Sequence, residues 1–157
     1  MKKPIISGTV ATIIGGVVAT ILGGIILLLI EYNIFSRTTD KQLAILNSNK
    51  SKQFFHEKKW TETIEFATLA IKADKELDEP YYYRGRAYYE KYQFKEAKND
   101  FTKAIKINQN NVTYYAKLAW TLYQLDDVKQ AKTIIDKGLK LDPNNKELLN
   151  LKEIILP

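Results

Sequence analysis

The chain has 157 residues and carries 24 Lys and Arg against 18 Asp and Glu, a formal net charge of +6. This length suits one domain of ordinary size with a short appendage. The modest basic excess is explained more simply by solvated lysines on helix faces than by attraction to RNA or anionic lipid. The absence of cysteine excludes disulfides, thiolate metal sites and a cysteine nucleophile.

The N-terminal segment is apolar and free of charge. Between Pro4 and Ile30 no side chain is ionisable. As a helix, the run from Ile5 to Ile30 would extend roughly 39 Å, more than the ~30 Å hydrocarbon core of a bilayer. A secretory signal peptide has an apolar region of only ~7–15 residues. The sequence therefore predicts an uncleaved transmembrane signal-anchor helix within residues 1–30, followed by a linker over residues 31–41.

Small residues recur at every fourth position of this segment and form two adjacent stripes on a helix. In lipid, helices associate through close backbone contact, which small residues permit. The pattern predicts packing against another membrane helix, from a second copy or from a different protein. The alternative is a plain anchor whose glycines reflect repeat expansion. The predicted contact residues are Gly8, Ala11, Thr12, Gly15, Gly16, Ala19, Thr20, Gly23 and Gly24.

Positive residues flank the apolar run on both sides, with Lys2 and Lys3 before it and Arg37 and Lys41 after it. Because positive side chains are enriched on the cytoplasmic side of membrane helices, this small bias favours a cytoplasmic N-terminus. The predicted localisation is a membrane that the chain crosses once.

The remainder of the chain repeats itself with a period of 34 residues. Small residues match at this offset, Ala97 with Ala131 and Ala104 with Gly138. Each unit contains two apolar patterns of helical period, so the fold class is all-α. The predicted elements are three helix-turn-helix units at residues 44–77, 78–111 and 112–145, and an amphipathic capping helix over residues 146–157.

These units resemble the tetratricopeptide repeat (TPR) family, whose pattern runs W-x2-L-G-x2-Y, then A-x3-F, then Pro. The resemblance implies that residues 42–157 form an α-solenoid of about three units behind the transmembrane helix. Arg84 and Lys50 stand where the family usually has Leu, so we expect looser packing at these positions. The matching residues are Tyr81, Gly85, Tyr88, Ala97 and Phe101 in the second unit and Tyr115, Leu118, Ala119, Leu122, Ala131, Ile135 and Pro143 in the third.

Nothing in the sequence indicates an active site. His56 is the only histidine. No serine or threonine has a general base at a spacing that would indicate a catalytic pair. The pair Asp126 and Asp127 falls in a predicted turn, where turn propensity explains it. We predict that the protein is not an enzyme and uses no cofactor or metal.

In the TPR family the first helix of each unit lines a concave groove that receives a peptide. The resemblance therefore implies a partner-binding groove with aromatic side chains, which supply contact area at low entropic cost. The alternative is that these aromatics pack between units. The Lys and Asn cluster with which some relatives bind a peptide's terminal carboxylate is not evident, so chaperone C-termini are doubtful ligands. The implied groove residues are Lys52, Phe55, Tyr82, Arg86, Tyr89, Trp120, Tyr123 and Gln124, with Ser48, His56, Glu90 and Ala116 on the same faces.

Together these patterns predict a membrane-anchored scaffold or assembly factor that binds a protein or peptide partner in the groove. Two alternatives remain. One is a structural subunit of a larger membrane complex, attached mainly through its transmembrane helix. The other, which we favour less, is an RNA-binding helical repeat. The sequence leaves open whether the protein forms a homo-oligomer.

Overall fold

The computed structural model describes the backbone of residues 7–155 and the side chains of residues 23–155. These residues form two compact units, and the boundary between them lies between Asp40 and Lys41. Residues 31–41, the predicted linker, lie inside the first helix; the predicted domain limits otherwise stay a prediction. The seven α-helices of the described range are α1 (Ser7–His56), α2 (Trp60–Ala73), α3 (Asp78–Glu90), α4 (Phe94–Ile107), α5 (Val112–Gln124), α6 (Val128–Leu141) and α7 (Lys146–Ile155).

In the first compact unit, which ends at Asp40, the side chains of α1 from Ile25 to Ile30 have between 47% and 67% of their surface exposed. Among the described residues, no helix has an apolar stretch long enough to cross a membrane. This finding contradicts the predicted localisation, a single-pass membrane protein with a cytoplasmic N-terminus.

Two of the predicted membrane-packing residues, Gly23 and Gly24, have described surroundings. A Cβ atom added to either would meet no atom within 4 Å, so in the described part of the chain nothing packs closely on the backbone there. The others lie outside the residues whose side chains are described: Gly8, Ala11, Thr12, Gly15, Gly16, Ala19 and Thr20.

The second compact unit, which begins at Lys41, consists of successive repeats in the order helix, turn, helix. Each helix contacts the next along the chain from α2 to α7, as the helices of a solenoid do. The predicted all-α solenoid and its 34-residue period are therefore confirmed. Helices that begin 34 residues apart form two series, Trp60, Phe94 and Val128 in one and Asp78, Val112 and Lys146 in the other.

The turn between the two helices of each unit contains a left-handed residue. Lys58, Tyr92 and Asp126 have φ angles of 58°, 59° and 60°. These residues again lie 34 positions apart. Side chains with a Cβ rarely adopt this conformation, so each unit contains one strained backbone position.

The loops between units are ordered by side-chain hydrogen bonds. The side chains of Asp74, Asn108 and Asp142 each accept a bond from the backbone N–H two residues on, at 2.9, 3.3 and 3.1 Å. Such Asx turns compete with further helix and so end it. The buried Tyr115 adds a bond from its hydroxyl to the backbone oxygen of Gln109, at 2.9 Å.

Two glycines allow close contacts between helices. At Gly85 of α3, an added Cβ would lie 3.0 Å from Cε1 of Phe101, which is fully buried. At Gly138 of α6, it would lie 2.5 Å from Cδ1 of Leu148 and 3.0 Å from Cβ of Tyr115. Leu148 belongs to α7, which packs on the last repeat as a capping helix should.

Arg84, where looser packing is expected, is in fact enclosed. Its Nε and Nη2 donate hydrogen bonds of 2.8 Å each to the two carboxylate oxygens of Asp100, and its Nη1 donates one of 3.1 Å to Thr68. Lys50 has the same position one unit earlier. It is exposed, and its Nζ lies 5.1 Å from the ring centroid of Phe66.

Candidate functional site

A cavity of about 430 Å³ opens between the first helices of successive units. It lies within the second compact unit of the fold, among α3, α5 and α7, and its floor comes from α4. The lining combines aromatic rings with charges of both signs. The lining residues are Arg86, Tyr89, Glu90, Phe101, Lys117, Trp120 and Glu147.

Three aromatic residues form the apolar part of the cavity. Phe101 is almost fully buried at its base. Tyr89 is partly buried and packs edge-on against Phe94, with ring centroids 5.2 Å apart, and burial raises the pKa of its hydroxyl. Trp120 packs edge-on against Tyr123 at 6.0 Å. Tyr89 and Trp120 are thus each packed against a neighbouring ring and remain partly exposed.

Arg86 is the best-positioned cation of the cavity. Its guanidinium carbon lies 4.0 Å from the ring centroid of Phe55 and 5.5 Å from that of Tyr82. Its Nη1 donates a hydrogen bond of 3.3 Å to the Tyr82 hydroxyl. Arginine stacks favourably on aromatic faces, so these two rings fix the side chain before any ligand arrives.

Two other cations around the groove form ion pairs. Nζ of Lys117 lies 2.6 Å from Oε1 of Glu147, which joins α5 to α7 across the cavity. Nζ of Lys52 lies 3.3 Å from Oε1 of Glu79. Both pairs are partly exposed, so they contribute little to stability, but they reduce the charge that these groups offer to a ligand.

The eight predicted groove residues take different positions. Arg86, Tyr89 and Trp120 line the cavity. Phe55 is buried, and like Tyr82 it lies against Arg86. Tyr123, Lys52 and Gln124 do not line the cavity: Tyr123 packs on Trp120, and Lys52 and Gln124 are exposed.

The structure shows packing between units for some of the predicted groove aromatics. Phe55 packs against Tyr83 of the next unit, with centroids 5.6 Å apart, and Tyr82 packs against Tyr114 at 5.1 Å. These rings join neighbouring units. Tyr89 and Trp120, in contrast, are available to the cavity.

The sequence prediction missed three lining residues. Lys117 could have been found, because it lies three positions before Trp120 on the same helical face. Glu147 is 30 positions from Lys117, and Phe101 comes from a second helix. No local spacing indicates either of them.

Comparison with known proteins finds a family similar to part of the chain. Residues 88–155 match the family model described as tetratricopeptide repeat. Over this range the chain is similar to tetratricopeptide repeats. No curated protein matches the chain significantly.

Solved TPR domains are similar over most of the chain. The Arabidopsis OM64 TPR domain is 26% identical, covering 74% of this chain and 97% of that domain, with a TM-score of 0.72. The second TPR domain of human RPAP3, in complex with the HSP70 peptide SGPTIEEVD, is 26% identical over 75% and 98%, with a TM-score of 0.72. The first TPR of Spaghetti (RPAP3), bound to the HSP90 peptide SRMEEVD, is 26% identical over 73% and 91%, with a TM-score of 0.71. The TPR is a protein-interaction fold.

Proposed function

We propose that this protein is an adaptor that binds a segment of a partner protein in the groove among α3, α5 and α7. The observation that carries the proposal is the cavity of about 430 Å³. Its size falls within the range of ~300–1,000 Å³ that is usual for ligand sites. It combines apolar walls with a few convergent polar groups, as such sites do.

An extended peptide suits this groove better than a compact small molecule. The walls come from successive first helices, so the cavity follows the direction in which the units stack. Half-buried tyrosine and tryptophan side chains are the residue types that dominate binding at protein interfaces. Two of the similar TPR structures contain bound peptides, which supports the same class of ligand here.

We assign roles within the groove as part of this proposal. Tyr89 and Trp120 contact apolar side chains of the peptide, and Arg86 contacts a polar group. Phe55 and Tyr82 orient Arg86. The remaining predicted residues, Lys52, Tyr123 and Gln124, lie at the margins and contribute to the outer part of the interface.

Site-specific photo-crosslinking in cells tests the proposal. A photoreactive phenylalanine analogue replaces Tyr89, and in a matched variant it replaces Lys132, an exposed residue of α6 that lines neither cavity wall nor floor. We expect a discrete protein adduct from position 89 alone, and we expect Trp120→Ala to remove it.

Three results would count against the proposal. The same adducts from both positions would show non-specific proximity. A nuclease-sensitive smear would indicate RNA. No adduct from position 89 would show that the groove has no partner under those conditions.

A further inference from the structure

Arg86 differs from the other cations around the groove in having no acidic partner. Lys52 and Lys117 each pair with a glutamate. In the described part of the chain, no ion pair involves Arg86. Within the described residues its side chain donates one hydrogen bond, to a neutral hydroxyl, although a guanidinium has five N–H donors.

The surroundings of Arg86 favour an anion in the cavity. The side chain is partly buried, and a charge in such a place is stabilised by a partner of opposite sign. The rings of Phe55 and Tyr82 lie beside its guanidinium, and among the described residues only its Nη1 donates a hydrogen bond, which leaves donors for a ligand. A carboxylate matches these donors because it accepts two parallel hydrogen bonds.

Glu90 limits how much negative charge the ligand can carry. It lies one helical turn after Arg86 and lines the same cavity, and among the described residues it too forms no ion pair. A second carboxylate on the ligand would share the cavity with it, and repulsion between like charges excludes wrong partners.

We propose that the groove selects peptides in which a single Asp or Glu side chain lies next to an aromatic or large aliphatic one. Arg86 binds the carboxylate, Tyr89 and Trp120 contact the apolar neighbour, and Glu90 rejects a second adjacent carboxylate. This inference rests on the proposed function, since it requires that a peptide enters the groove.

Peptide selection on the full chain tests it. The probe is a phage-displayed library of random linear peptides, selected on the wild type, on Arg86→Glu and on Lys132→Glu. The last variant makes the same charge change on the outer face. We expect the wild type and Lys132→Glu to enrich one acidic residue beside an apolar one, and we expect Arg86→Glu to enrich Lys or Arg at that place.

Misfolding cannot produce this change from acidic to basic peptides, because a misfolded variant would enrich no peptide. Arg86→Gln provides a second measurement that does not add charge. We expect it to weaken binding of a selected, fluorescently labelled peptide by at least about ten-fold, as loss of a charge-assisted hydrogen bond does. Glu90→Gln should admit peptides with two adjacent acidic residues.

The outcomes separate this inference from the proposed function. If the wild type enriches no peptide, the proposed function itself fails. If the wild type enriches apolar peptides without an acidic residue, only the role of Arg86 is overturned. The same holds if Arg86→Gln binds the selected acidic peptide as tightly as the wild type does. Enrichment of acidic runs such as that in SRMEEVD would overturn the role of Glu90.

Discussion

The hydroxyl of Tyr114 donates a hydrogen bond of 2.8 Å to Oδ2 of Asp78. The side-chain amide of Asn108 donates to the same oxygen, also at 2.8 Å. Asp78 is the first residue of α3, whereas Tyr114 lies in the first turn of α5. One carboxylate therefore joins the second and third units at the start of their first helices.

This bond predicts the behaviour of the protein in alkali. Burial raises the pKa of Tyr114 well above its usual range, and the hydrogen bond to Asp78 raises it further. Because the folded pKa exceeds the unfolded value of about 10, the contribution to stability is complete below that pH and is lost as pH rises through the folded pKa. We expect Tyr114 to ionise only as the helices unfold.

Ultraviolet absorbance measures the ionisation of tyrosine, and far-UV circular dichroism measures the loss of helix. Both are followed against pH on the same samples. Burial also raises the pKa values of Tyr81, Tyr83 and Tyr89, so the difference between the wild type and Tyr114→Phe isolates the one side chain. The prediction fails if that difference titrates fully while the helical signal is unchanged.

The pair between Arg84 and Asp100 predicts a strong dependence of stability on both partners. The side chains are only 18% and 7% exposed. Removing one partner of a buried ion pair leaves a charge without compensation, which costs about 3–5 kcal/mol. We expect Asp100→Ala and Arg84→Leu each to lower the free energy of unfolding in urea by about this amount.

The double variant Arg84→Leu with Asp100→Ala is the decisive comparison. Since it removes both charges, we expect it to lose clearly less stability than the sum of the single changes. Additive losses, within about 0.5 kcal/mol, would show that the two side chains act independently.

Gly138 should not tolerate even a methyl group. Alanine favours a helix over glycine by about 1 kcal/mol, but here its Cβ would lie 2.5 Å from Leu148. Overpacking of a closed core costs about 1–3 kcal/mol. We expect Gly138→Ala to lower the melting temperature. Combined with Leu148→Ala it should cost less than the two changes added together, and a neutral Gly138→Ala would contradict the packing described.

The left-handed turn residues predict a stabilising glycine. A left-handed conformation costs an ordinary residue about 1–2 kcal/mol, and glycine avoids most of this. Tyr92 is 81% exposed, so Tyr92→Gly removes little packing and should raise the melting temperature. The neighbour Lys91 has an ordinary φ of −88°, so Lys91→Gly should lower it. Equal effects at the two positions would exclude backbone strain as the cause.

The positions of the repeat helices could be predicted from sequence because tight helix crossings require small residues. Gly85, Ala97, Ala104 and Gly138 lie at such crossings, and all are buried. Ala104 and Gly138 are 34 residues apart, and Gly85 and Ala97 have small residues 34 positions later, so the spacing indicates the architecture. The predicted localisation was wrong: among the described residues, no helix is long and apolar enough to cross a membrane.

The groove could be predicted only in part. Helical phase indicates which residues share a face, but it does not indicate how deeply each one is buried. Phe55 shares the face of the groove and is nevertheless covered, because Trp60 and Tyr83 pack on it from neighbouring helices. The pair of Lys117 and Glu147 depends on the tertiary fold, which places residues distant in sequence side by side.

The contact of Leu148 with Gly138 limits how the units can be rearranged. Ala104 has in α4 the position that Gly138 has in α6. A chimera in which the second unit replaced the third would therefore put a methyl group where Leu148 of α7 now lies. Repeats with the same helical architecture are thus not interchangeable in this chain. The close packing of α7 requires the glycine that the third unit has at position 138.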